Sequence, residues 1–114
     1  MLSKEQWAQF DREGYLMLGR VASDAEMEAL GTRMDEIMLG RVRHEGMYFQ
    51  LDSETGVYGD VPSGGQWEGP SLNYRKIELL EKDPLFLAYI QHPAFREITR
   101  RVYGENVAIT PPAG

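Results

Sequence analysis

The sequence predicts a mixed α+β fold, and three observations carry that expectation. Serines open two helical periods as capping boxes, Ser3 with Gln6 and Ser23 with Glu26. Apolar stretches of strand length, YLMLGRV at 15–21 and SLNYRKIELL at 71–80, alternate with them. Two more helices are marked by proline at the first helical position, in DPLFLAYIQ and HPAFREITRRVYG.

At 114 residues the chain is the size of one domain, without room for a second complete one. Twelve Lys and Arg against eighteen Asp and Glu give a net charge of −6, spread along the chain. A nucleic-acid or anionic-membrane surface needs a basic field, so neither partner is expected. With no cysteine there is no disulfide, thiolate ligand or cysteine nucleophile. No charged segment followed by an apolar run marks a signal peptide or membrane span, and a cytoplasmic protein is the default expectation.

The organisation falls into three stretches. Residues 1–40 read as helix, strand, helix. Leu2 and Trp7 are spaced as a hydrophobic staple around the first capping box, Phe10 shares the face of Trp7, and Gly14 suits the stop. YLMLGRV is the strand, with Gly19 a candidate bulge. In the second helix Met27, Leu30, Met34, Ile37 and Met38 form the stripe expected to be buried, and Gly40 closes it. Residues 41–72 are a long loop in which MYFQL and VYGD could pair as a hairpin around DSETG; VPSGGQWEGPS is loop outright. Residues 73–114 give a strand, two short helices capped by Asp83 and His92, and a terminal strand, NVAIT.

Motifs of catalysis are few. His92 is explained by capping, and His44, beside Arg41, Arg43 and Glu45 after a helix end, reads as a solvated residue near the helix dipole. No serine sits in a Gly-x-Ser-x-Gly elbow, and PSGGQWEGPS is neither a Walker loop nor a dinucleotide turn. On a regular strand Tyr74 and Lys76 would share one face and Arg75 the other. Lys76 then either binds an acidic ligand as a point charge or lies solvated at an edge. Trp67 is either a lid over a pocket or a loop anchor burying a large ring.

The order of these pieces resembles a known family. LSKEQWAQFDREGYLMLGRVASDAEMEAL is similar to the opening of the phytanoyl-CoA dioxygenase family, and NYRKIELLEKDPLFLAYIQHPAFREITRRVYGENVAI to its following block. Together they cover most of the chain outside the loop from about residue 41 to 72. The resemblance implies an iron(II)- and 2-oxoglutarate-dependent oxygenase built on a double-stranded β-helix, or jelly roll, that hydroxylates a small organic substrate. This chain would supply its N-terminal helices and first strands, leaving the barrel incomplete. By position Lys76 would help bind 2-oxoglutarate, and Gln50, Trp67 and Tyr74 would lie on the substrate side.

One departure matters. The family's iron is held by a His-x-Asp pair and a distal His, whereas His44 is followed by Glu45 and Gly46 and His92 by Pro93 and Ala94. TPPAG resembles only the turn that precedes such a motif. The expectation is therefore the front of an oxygenase, truncated or rearranged before its metal site and inactive alone, with no catalytic or metal residues of its own. The alternative is a non-catalytic interaction module whose exposed terminal strand pairs with a second copy.

Overall fold

Both serine capping boxes form, and they fix where the first two helices begin. Ser3 Oγ accepts the Gln6 N–H while Gln6 Oε1 accepts the Ser3 N–H, opening α1 over Lys4–Glu13. Ser23 and Glu26 repeat the exchange at α2, Asp24–Met38. The computed structural model describes residues 1–106, which continue with β1 (Tyr48–Leu51), β2 (Tyr74–Glu78), α3 (Pro84–Ile90) and α4 (Pro93–Tyr103). Single 3-10 turns stand at Tyr58–Asp60 and Leu80–Lys82. Within those residues the architecture is four helices and one two-stranded antiparallel sheet, an α+β arrangement. None of the described helices is long and apolar enough to cross a membrane. The expected strand NVAIT, beyond Asn106, and the turn TPPAG lie outside the described residues.

The core gathers where α2 ends. Ile37, Met47 and Phe49 are buried together, with Val42, Trp67, Tyr74, Ile77, Leu80 and Phe86 packed around them. A Schellman stop turns the chain here: the Gly40 N–H reaches Ile37 O and the Arg41 N–H reaches Glu36 O, with Gly40 at φ 79°. The buried stripe expected along α2 is therefore realised only in part. Ile37 is fully enclosed, Leu30, Met34 and Met38 are half-buried, and Met27 is exposed, because α3 is the helix that packs on α2 and the core lies at its C-terminal end.

Two strand expectations are corrected. Residues 15–21 form no strand, and side chains of α1 take the place of a ladder partner at Met17: Gln9 Oε1 accepts the Met17 N–H and Gln6 Nε2 donates to Met17 O. The residues VYGD form no hairpin with MYFQL, since most of them lie in the 3-10 turn. Instead β1 pairs with β2 across the whole loop, in the register Tyr48 to Glu78, Phe49 to Ile77, Gln50 to Lys76 and Leu51 to Tyr74. On its other edge Phe49 exchanges two 2.8 Å backbone hydrogen bonds with Gly65, so the glycine-rich segment runs beside β1. Tyr48 occupies the space that a side chain on Gly64 would need, which is a packing reason for glycine there.

The helices α1 and α4 meet through a separate contact. Glu97 accepts the Leu2 N–H at 3.1 Å, and the Arg101 guanidinium lies 4.2 Å above the Trp7 ring. Trp7 and Phe10 meet edge to face with centroids 6.0 Å apart, as their shared helix face requires. The radius of gyration is 17.3 Å, larger than the roughly 13 Å of a spherical chain this long, so the two packing centres are not merged into one core.

Candidate functional site

The sheet carries two different faces, and a bulge decides which residues share them. Between Gln50 and Leu51 the register slips, so Tyr74, Arg75 and Lys76 span one step of β1. The extra residue breaks strict alternation. Tyr74 and Ile77, three apart, both reach the core, and Tyr74 does not share a face with Lys76 as a regular strand would have it.

The outer face is polar. Lys76 Nζ is 2.8 Å from Glu78 Oε1 and 5.6 Å from the centre of the Tyr48 ring, with half of the side chain open to solvent. The hydrogen bond to Glu78 raises the Lys76 pKa above its ordinary value, with the Glu78 charge adding to it. Gln50, its register partner, donates from Nε2 to Pro62 O at 2.8 Å. Of the four residues singled out from the sequence, Lys76 and Gln50 are thus brought side by side.

Tyr74 and Trp67 lie on the core side instead. The Tyr74 hydroxyl accepts the Glu68 N–H and donates to Gly69 O, tying the end of the loop down, while its ring meets Phe49 at 5.3 Å. The Trp67 indole N–H donates to Met38 O at 3.0 Å, and the Arg43 guanidinium stacks 4.1 Å over the ring. These contacts make Trp67 a loop anchor at the end of α2.

A third cluster was not legible in the sequence. Asp83 is completely buried; its Oδ1 accepts the Leu85 N–H as the cap of α3, and its Oδ2 takes the Arg33 guanidinium at 2.9 Å and His44 Nε2 at 2.8 Å. An ionised carboxylate only accepts, so His44 Nε2 carries the hydrogen. Burial is the strongest single influence on Asp83 and pushes its pKa up. The hydrogen bonds from His44, Arg33 and Leu85 together outweigh it and hold the group below the ordinary carboxylate value. His44 is thus a hydrogen-bond partner of a buried carboxylate rather than a solvated residue. The capping role of Asp83 is legible from its place before Pro84, but its other oxygen has no local signal, because the partners lie 50 and 39 residues away. Leu79, at φ 68°, makes the turn from β2 into Leu80–Lys82 and so delivers Asp83 to this position.

An iron centre does not fit these residues. His44 gives Nε2 to Asp83, His92 gives Nδ1 to the Ala94 N–H, and among the described residues no three His, Cys, Asp or Glu side chains converge. Of the four residues singled out from the sequence, Lys76 is the one that carries a charge, an ammonium of the kind that pairs with a carboxylate. No family model matches the chain, and no curated protein or solved structure matches it either.

Proposed function

We propose that this chain is the N-terminal portion of a phytanoyl-CoA dioxygenase-like oxygenase, a scaffold that contributes Lys76 as a carboxylate-binding group for 2-oxoglutarate. The observation that carries this reading is Lys76 itself, on the solvent face of a short strand that is followed by two proline-started helices. Its side chain is half exposed and paired with Glu78 on the outer face, a pair for which a dicarboxylate would compete. Further support comes from exposed Ile90, Val102 and Tyr103, apolar side chains on α3 and α4 suited to packing against additional structure. The metal donors of such an enzyme are not supplied by the described residues, and hydroxylation is assigned to the full-length form alone.

The test is a titration of the chain with 2-oxoglutarate followed by amide and lysine side-chain NMR. One half-exposed ammonium gives weak binding, so shifts centred on β2 should saturate on the order of 10 mM. They should vanish in Lys76→Ala. Shifts that are absent, or that persist in that variant, would sink the proposal.

A further inference from the structure

A groove of about 910 Å³ opens between α4 and the N-terminal segment, and its charge runs against that of the whole chain. Arg20, Arg96, Arg100 and Arg101 line it, four of the twelve basic side chains in a protein of net charge −6. Its one carboxylate, Glu97, is engaged with the Leu2 N–H. Arg96 and Arg100 are one helical turn apart on α4, and Arg96 has no ion-pair partner among the described residues. Arg100 and Arg101 have only exposed partners 3.6 to 3.7 Å away, Glu105 and Asp11, and Arg20 pairs with exposed Asp24. Such pairs are weak and readily exchanged. Leu18 and Val21 add apolar surface to the same lining.

The complement is present on this chain. Residues 52–60, DSETGVYGD, contain three carboxylates and no basic residue, with Val57 and Tyr58 exposed at 56% and 82%. Large apolar side chains at a loop tip are costly to leave in water, and here acidic residues flank them. Asp52, Glu54 and Asp60 also border an acidic cleft with Glu68, and that cleft shares no lining residue with the arginine groove. An acidic loop with an apolar tip thus matches a basic groove with an apolar lining.

We propose that the acidic loop of one copy docks in the arginine groove of a second copy. Because donor and acceptor surfaces differ, the contact is heterologous and runs head to tail. It is independent of the 2-oxoglutarate reading, since Lys76 borders neither surface.

The experiment is sedimentation equilibrium of the chain from about 10 µM to 1 mM, repeated at low and high salt, since salt screens the exposed charges that would hold the contact. The wild type should associate at low salt, with the dissociation constant rising at least tenfold at high salt. Arg96→Glu with Arg100→Glu reverses the groove, and Asp52→Lys with Glu54→Lys reverses the loop. Each double variant alone should be monomeric. Mixing the two should restore association, because each surface then meets its opposite, and restoration also shows that both variants are folded. A wild type that stays monomeric, a variant that associates alone, or a mixture that stays monomeric would overturn the proposal.

Discussion

His44 donates its Nε2 hydrogen to the buried carboxylate of Asp83, 2.8 Å away across 39 residues of sequence. That contact joins the loop after α2 to the first turn of α3, and Arg33 reinforces it from α2 itself. The chain therefore holds three elements together at one oxygen atom.

Acid should release this junction. Asp83 has a folded-state pKa below its ordinary value of 3.8, so its stabilisation is complete above that value and is lost as pH falls through the lower folded-state pKa. Urea melts at pH 7, 5, 4 and 3 should show a steep loss between the last two, and Asp83→Asn should flatten that limb. Asp83→Ala removes the acceptor of the Arg33 guanidinium and of the His44 Nε2 hydrogen together with the α3 cap, and at pH 7 should cost about 3–5 kcal/mol. An unchanged acid limb in Asp83→Asn would show that other carboxylates set it.

The two donors to Asp83 should not contribute independently. With either one removed the other still satisfies Oδ2, and His44→Ala alone should cost about 1–3 kcal/mol. Removing both leaves a buried carboxylate with only the Leu85 N–H on its other oxygen. The double variant Arg33→Ala, His44→Ala should thus lose more than the sum of the singles, by about 0.5–3 kcal/mol. Simple additivity in a thermal-melt cycle would mean that the two contacts contribute independently, and would overturn this expectation.

What could be read from the sequence was what is written locally. The caps at Ser3, Ser23, Asp83 and His92 each need a side chain within three residues of the groups it satisfies, so spacing reveals them. The pairing of β1 with β2 is not local; it spans the loop, and the nearer segment VYGD competed for the assignment on proximity alone. Likewise YLMLGRV has the composition of a strand, but Gln6 and Gln9 of α1 take up hydrogen-bonding groups of Met17. At the candidate site, Lys76 was legible as a charge between apolar residues. The faces of Tyr74 and Lys76 were not, because the bulge that separates them has no signature in NYRKI.

Lys76 should be dispensable for folding. Its bond to Glu78 is half exposed, and solvent-screened pairs of that kind contribute only a small margin of stability. Lys76→Ala should therefore keep the wild-type urea midpoint to within that margin while abolishing 2-oxoglutarate-dependent shifts. A large loss of stability would instead mean that Lys76 is a structural residue of the outer face, and the ligand effect would lose its meaning.

Gly40 should resist replacement for two reasons that act together. Its φ of 79° is the left-handed stop of α2, where any side chain carries a penalty of about 1 kcal/mol. A Cβ there would also stand 2.5 Å from Cζ2 of Trp67, whose ring is fixed by its hydrogen bond to Met38 O and cannot simply tilt away. Overpacking of this kind costs about 1–3 kcal/mol, so Gly40→Ala should lose about 2–4 kcal/mol in all. The two causes separate in a second background. In Trp67→Leu the clash is removed while the backbone penalty remains, so there the same Gly40→Ala change should cost only about 1 kcal/mol. If the cost is equal in both backgrounds, the ring does not rest on Gly40, and the anchoring of the loop by Trp67 is wrong. If it falls as expected, the indole packs directly on Gly40 and is one of the contacts that hold the loop against the end of α2.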